Sequence, residues 1–290
     1  KSENFYITNP NLGASVDLEY LISEFNKVKD AGEESLRDFL AKHLNIEIGM
    51  NLRANRWAGA EYWVQQKHVF GLEQLIEQSE LITLGIDGGG LDDLLGFAAL
   101  GRLKKDPRIW WLWSRAWANK IALERRKENI PKYKDFEQEG SLVVVDKVGE
   151  DIDQLALIAK QIYDSGKLDK IGLDPQGLGG LIDGLTGAGI PEEILVAVPQ
   201  GHKLMGYIMT SERKLAEGNL WHAGQQLMTW CVGNARVVKI GNGMRITKQD
   251  SGVGKIDPVI AMFNAVALMS LNPEVKDLDI DGYLEDVVIA

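Results

Sequence analysis

Leu81-Ile-Thr-Leu-Gly-Ile-Asp87, followed by Gly88-Gly-Gly90, is the stretch on which the fold turns. Its apolar run is too short for a helix, ends in a carboxylate and meets three glycines. That is the pattern of a buried strand entering a turn. Downstream, residues 94–103 predict a second strand, Lys104-Lys-Asp-Pro107 a turn, and residues 109–117 a third strand, together a β-meander. A basic helix over 119–129 and a strand over 141–146 follow. The rhythm then alternates: helix 153–165, strand 170–174, helix 179–187, strand 194–198, and helices over 203–217 and 225–232. Gly241-Asn-Gly243 joins strands 236–240 and 244–247 as a hairpin. Asp257, read as an N-cap with Pro258 behind it, opens a helix reaching 271 that is apolar nearly all round and is expected to be buried. Three antiparallel strands followed by parallel strand–helix units predict an α/β class: a mixed sheet with helices on both faces.

Upstream of the quoted stretch, residues 1–78 lack strand alternation. Ser15 can cap a helix carrying Leu18, Leu21, Ile22 and Phe25; Leu36, Phe39, Leu40 and Leu44 suggest a second, and Leu72, Leu75 and Ile76 a third. The organisation expected is a helical arm over 1–78, a main domain over 79–272 and an acidic tail over 273–290. There is no internal repeat.

The chain has 290 residues and a formal net charge of -10. Its 45% hydrophobic and 26% charged content is ordinary for a globular protein and excludes a largely disordered or collagen-like chain. No apolar run reaches the ~18 residues of a membrane span. The single cysteine, Cys231, excludes an internal disulfide and a multi-cysteine zinc module, and in its apolar helix is expected to be inert core. A chain opening on Lys1 is expected to be a fragment or a processed product, and no signal-peptide pattern opens it. A cytosolic setting follows from the cysteine usage. Charge is uneven: residues 101–134 hold eleven basic and three acidic side chains, and residues 200–256 eight and three. Two such segments suit a phosphate track, or else solvated helix faces.

Three aspartates stand out by position. Asp87 and Asp174 each end an apolar strand, and Asp257 starts an apolar helix. In open α/β sheets, sites form outside the carboxyl ends of strands. If those strands are adjacent and parallel, three carboxylates converge there. Like charges raise one another's pKa, and a divalent cation relieves them. All-oxygen ligation suits Mg²⁺ or Mn²⁺ rather than zinc. Two such ions activate a water and stabilise the leaving oxygen in phosphodiester hydrolysis. Each aspartate also has a plainer reading: Asp87 and Asp174 as turn residues, Asp257 as a helix cap.

The residues around these aspartates resemble a known family. Gly85-Ile-Asp87 with Asp93-Leu94 is similar to the strand-and-loop signature of the C-terminal nuclease domain of tailed-bacteriophage terminase large subunits. Ile171-Gly-Leu-Asp-Pro-Gln-Gly177 resembles the family's second acidic strand. Gly218-Asn-Leu-Trp-His222, with Trp230 and Asn234, resembles its next block, and Lys255-Ile-Asp-Pro-Val-Ile-Ala-Met262 its closing motif. Asn9-Pro-Asn-Leu-Gly13, Val16-Asp-Leu-Glu-Tyr20 and His43-Leu-Asn45 are similar to the linker that follows the packaging ATPase. The resemblance runs in order across the chain to about Pro273. It implies a ribonuclease H-like fold and metal-dependent cleavage of concatemeric double-stranded DNA during genome packaging. It also implies two Mg²⁺ or Mn²⁺ ions, a small terminase subunit and a portal as partners, and the bacterial host cytoplasm as setting. Carried over, the acidic triad is Asp87, Asp174 and Asp257, with Asp93 at a further acidic position. Gly88-Gly-Gly90 departs from relatives, which often carry hydroxyl residues there.

Gly252-Val-Gly-Lys255 is not a P-loop, since Gln249 stands where the first glycine belongs and Ile256 where a hydroxyl would hold Mg²⁺. The chain is expected to hydrolyse DNA and not ATP. Lys255 can approach a phosphate or be a solvated charge. His222 can contact DNA or relay a proton, or be structural. Asn234 can belong to the site or cap a helix. Trp110, Trp111, Trp113 and Trp117 can stack on bases but are expected in the core. Arg125, Arg126, Arg245 and Lys248 are the DNA-contact candidates. Two other classes compete. Ile86-Asp-Gly-Gly-Gly90 also resembles the phosphate loop of actin-like and sugar-kinase phosphotransferases, although Leu91 stands where a hydroxyl is expected. The basic segments also suit a non-catalytic DNA-binding or motor-docking module.

Overall fold

Strand β1 (Ser79–Gly88) carries the quoted stretch into the middle of a seven-stranded mixed sheet. The computed structural model describes residues 2–14, 16–31, 33–44, 55–125, 127–176, 179–241, 243–248 and 254–275. The other strands of the sheet are β2 (Leu94–Leu103), β3 (Trp110–Asn119), β4 (Leu142–Val145), β5 (Leu168–Leu173), β6 (Leu195–Ala197) and β7 (Leu220–His222). Their order is β4-β3-β2-β1-β5-β6, with β7 also beside β3. Only β2 runs antiparallel to its neighbours. The five consecutive strands β3-β2-β1-β5-β6 therefore have the ribonuclease H-like arrangement, and the α/β class stands as expected. Strands β1, β3, β5 and β6 all point their carboxyl ends at one sheet edge.

Both faces are covered. Helices α3 (Ala60–Trp63), α6 (Ile130–Glu139), α9 (Met205–Ala216), α10 (Gln226–Asn234) and α11 (Asp257–Met269) lie on one. Helices α4 (Leu72–Gln78), α7 (Glu150–Asp164) and α8 (Gly179–Gly187) lie on the other. The two-residue period of a strand sorts β1 between them. Ile82, Leu84 and Ile86 enter the α7 side, while Thr83, Gly85 and Asp87 face α11. The Thr83 hydroxyl donates to the Ala265 carbonyl at 2.9 Å. A β-carbon at Gly85 would stand 1.9 Å from the Ala261 carbonyl oxygen, so only glycine admits the helix this close. On β5, Gly172 is paired directly with Gly85, and a β-carbon there would stand 2.9 Å from the Asn264 carbonyl. The helix thus lies in a glycine groove across adjacent strands. It buries Val259, Met262, Phe263 and Val266, each worth about 1.5–3 kcal/mol by area.

Several expectations need correction. The arm's later residues do not stand apart: Trp57, Ala60 and Trp63 are fully buried in the α11-side core, and Phe70 and Leu75 in the other. Large apolar side chains at those positions require a sheet to cover them. Helices α1 (Leu18–Ala31) and α2 (Glu33–Leu44) form their own small cluster on Phe5, Leu21 and Phe39. The basic helix is shorter than expected, α5 (Lys120–Arg125), followed by a 3-10 turn over Lys127–Asn129. Helix α6 then begins with Pro131 in its first turn, where a missing N–H costs nothing. Asp257 is the first residue of α11 rather than its cap; Ile256 precedes it and makes no side-chain cap. The basic segment over 101–134 is no continuous track. Lys104, Lys105 and Arg108 lie at the β2–β3 turn, at the opposite sheet edge from α5. Ser15, Arg126, Gly177, Asn242 and tail residues 276–290 lie outside the described residues.

Candidate active site

Alternation brings the aspartates together. Asp87 is two residues beyond Gly85 on β1, and Asp174 two beyond Gly172 on β5, so both leave the sheet on the α11 face at its carboxyl edge. Helix α11 starts at that edge with Asp257. Asp93 comes from the turn between β1 and β2. All four line one cavity of about 300 Å³, with Gln200, Leu204, Lys255 and Ile260. The hairpin of β8 (Ala235–Ile240) and β9 (Gly243–Lys248) completes the wall through Ile246, Thr247 and Lys248.

The electrostatics follow from that crowding. Burial, then the charges of Asp257, Asp174 and Asp93, push the Asp87 carboxyl well above the ordinary carboxylate range. Burial and the Asp93 charge push Asp257 up to about 7, against the pull of the Lys255 ammonium. Lys255 is only 2% exposed and is no solvated charge. Its Nζ donates to the Asp92 carbonyl at 3.0 Å and to the Asp93 carboxylate. Asp174 also accepts from the Gln176 backbone N–H at 3.0 Å, so its turn role and its place in the cavity coexist. Behind the wall, Asn234 Nδ2 donates to the Lys255 carbonyl at 3.2 Å.

Carboxylate oxygens as the charged donors, repelling one another in a partly enclosed cavity, fit a hard divalent cation. Among the described residues no three acidic, histidine or cysteine side chains close on a single point as a finished cage. The carboxylates are gathered round the cavity, with Asp93 held by Lys255.

Other candidates lie elsewhere. His222, on β7, is buried and stacks on Trp63 with ring centroids 3.9 Å apart. Its Nε2 donates to the Trp63 carbonyl at 2.7 Å and its Nδ1 accepts from the Gly224 N–H at 3.2 Å, a neutral structural imidazole. Trp110, Trp113 and Trp117 are core, and Trp111 stacks on Phe70 at 4.3 Å. Cys231 is fully buried. Arg125, Arg245 and Lys248 are exposed, the last lining the cavity. Gln200, Gly201 and Leu204 are lining residues that the sequence did not point to.

A ribonuclease H-like sheet with aspartates on β1, just past β5 and at the start of α11 is the frame of a nuclease class, and the family comparison agrees. Residues 1–272 match the model of the terminase large subunit, endonuclease domain, and the chain belongs to that family. It is 24% identical over 270 residues to Protein YmfN of Escherichia coli (strain K12), covering 89% of this chain and 57% of that protein. It is 26% identical over 215 residues to the large terminase subunit of Enterobacteria phage HK97, covering 69% of this chain and 40% of the relative. The chain therefore spans about half the length of these relatives. The crystal structure of the HK97 bacteriophage large terminase superposes with a TM-score of 0.62 at 19% identity, covering 92% of this chain and 54% of that one. No described helix is long and apolar enough to cross a membrane.

Proposed function

We propose that this chain is the metal-dependent endonuclease part of a viral DNA-packaging terminase, cutting concatemeric double-stranded DNA. The observation that carries the reading is the single cavity lined by Asp87, Asp93, Asp174 and Asp257. Asp87, Asp174 and Asp257 would hold two Mg²⁺ or Mn²⁺ ions. The chemistry such ions would supply there is activation of a water and stabilisation of the leaving oxygen in phosphodiester hydrolysis. The protein's share is orientation. Strands β1 and β5 and helix α11 fix the three carboxylates, Lys255 orients Asp93, and the hairpin carries Lys248 to the rim for a phosphate. Helices α1 and α2 serve as the linker from an ATPase domain, residues 55–272 as the nuclease domain, whose core takes in Trp57, Trp63 and Leu75, and 273–290 as an acidic tail. A small terminase subunit and a portal are the partners, and the host cytoplasm is the setting.

The test is plasmid cleavage by the chain with Mn²⁺, with Mg²⁺ and with chelator, beside an ATP-hydrolysis assay. Cleavage that needs the cation, without ATP turnover, supports the reading. ATP turnover points to the phosphotransferase alternative, and DNA binding without cleavage to the docking module.

A further inference from the structure

Gln200 and Asn264 form a clamp beside the aspartates. Asn264 has no exposed surface and sits among the apolar side chains of α11, where an amide without partners costs about 1–3 kcal/mol. It has two partners. Its Nδ2 donates to the carbonyl oxygen of Ile86 at 2.9 Å, the residue before Asp87. Its Oδ1 accepts from Nε2 of Gln200 at 2.9 Å. Gln200 gives its other amide hydrogen to the Val198 carbonyl at 3.0 Å. One run of hydrogen bonds therefore ties α11, the end of β1 and the segment leaving β6.

A glutamine amide offers two hydrogens and one carbonyl oxygen. With both hydrogens committed, the amide plane is set, and Oε1 remains without a donor among the described residues. Gln200 lines the cavity with the four aspartates. Those carboxylates already repel one another, so the useful further ligand is an oxygen without charge.

Resting on the cation reading of this cavity, we propose that Gln200 is a neutral ligand of the site and Asn264 its positioning residue. Asn264 orients it so that Oε1 presents a neutral oxygen to a divalent cation, and the same clamp holds the strand end that bears Asp87. A carboxylate cannot replace it. Glutamate at 200 has no hydrogens for the Val198 and Asn264 oxygens, and it adds a fifth negative charge.

The experiment uses the whole 290-residue chain. Without metal, the side-chain amide hydrogens of Gln200 are expected to exchange with solvent more slowly in ¹⁵N spectra than those of exposed glutamines. Asn264→Asp, which keeps the acceptor but loses the donor to Ile86, should shift them. Titration with Mn²⁺ alone should show about tenfold weaker binding in both Gln200→Met and Gln200→Glu, the scale of losing a group that orients a metal site. The metal-free melting temperature should fall in both variants, because each strips the buried Asn264 Oδ1 of its donor, so Mn²⁺ affinity is read at a temperature where the variants are still folded. Fast exchange in the wild type overturns the clamp. Wild-type Mn²⁺ affinity in both variants, or tighter binding in Gln200→Glu, overturns the role of Gln200. If the wild-type chain takes up no Mn²⁺, the cation reading falls and this role with it, while the exchange rates still decide whether the clamp exists.

Discussion

At the scale of single residues, Asp174 separates charge from shape. Asn keeps the side-chain volume and can still accept the Gln176 N–H, but it carries no charge to hold a cation. Asp174→Asn is expected to lower cation-dependent cleavage by about 10²–10³-fold or more, the scale of losing a main electrostatic group. It should leave the fold intact, and should slightly raise the metal-free melting temperature because one like charge leaves the neighbourhood of Asp87. A melting curve beside a plasmid assay reads both, and full activity in the variant removes Asp174 from the site. His222 offers a test in the opposite sense, one of stability alone. Burial pushes its imidazole down to about 4, from an unfolded value of 6.5. Between those values the unfolded chain binds more protons than the folded one, so stability is fully present above pH 6.5 and is lost as pH falls towards 4. The loss amounts to about 3 kcal/mol for this group. The raised carboxyls of Asp87 and Asp257 contribute the opposite slope over the same range, so the His222 share is the difference between the denaturant midpoints of wild type and His222→Gln, and that substitution should not touch Mn²⁺ binding.

Among the elements, α11 and the strands beneath it decide the site. The gap that seats the helix is set by Gly85 and Gly172, each two residues before an aspartate of the cavity. Gly85→Ala forces a methyl group against the Ala261 carbonyl and is expected to cost about 1–3 kcal/mol or more. It should also weaken cation binding, because the shifted helix carries Asp257. An unchanged denaturant midpoint would mean that the helix does not sit on the strand as described. This groove explains what was legible beforehand. Residues 81–86, 94–101 and 258–269 are almost wholly apolar runs, so burial on both faces announced their elements, and Asp87 and Asp257 stand at the ends of the first and last. Short or polar pieces were not legible. Strand β7 has three residues, too few for a period, and α6 reads Ile-Pro-Lys-Tyr-Lys-Asp-Phe-Glu-Gln-Glu, with only Tyr133 and Phe136 buried. The cap reading of Asp257 missed by one residue, because one helical position separates a carboxylate turned to its own backbone from one turned into a cavity. Gln200 carries no motif; it matters only because the fold brings it to Asn264, sixty-four residues away. Asn264 itself left a trace, as an amide inside an otherwise apolar helix.

For the molecule as a whole, the question is where an acidic protein of net charge -10 would accept DNA. Strand direction supplies an answer that residue counts could not. Strands β1 and β3 run parallel, so α5, which follows β3, stands at the same sheet edge as Asp87, and the β8–β9 hairpin borders the cavity there. Lys104, Lys105 and Arg108 belong to the same basic stretch of sequence but turn at the far edge. Phosphate contacts should therefore come from Arg125, Arg245 and Lys248 and not from the β2–β3 turn. Arg125→Glu, or Arg245→Glu with Lys248→Glu, is expected to weaken binding to all duplex sequences alike and to flatten the salt slope by roughly one unit per lost phosphate contact. Lys104→Glu with Lys105→Glu changes net charge by the same amount as the hairpin pair and should leave that slope unchanged, which separates a local track from general repulsion. Binding isotherms at several salt concentrations, in the presence of chelator to prevent cleavage, decide the matter. Equal losses from both edges would mean that only total charge counts, and no loss from either would place the DNA track on helices α1 and α2 or beyond this chain.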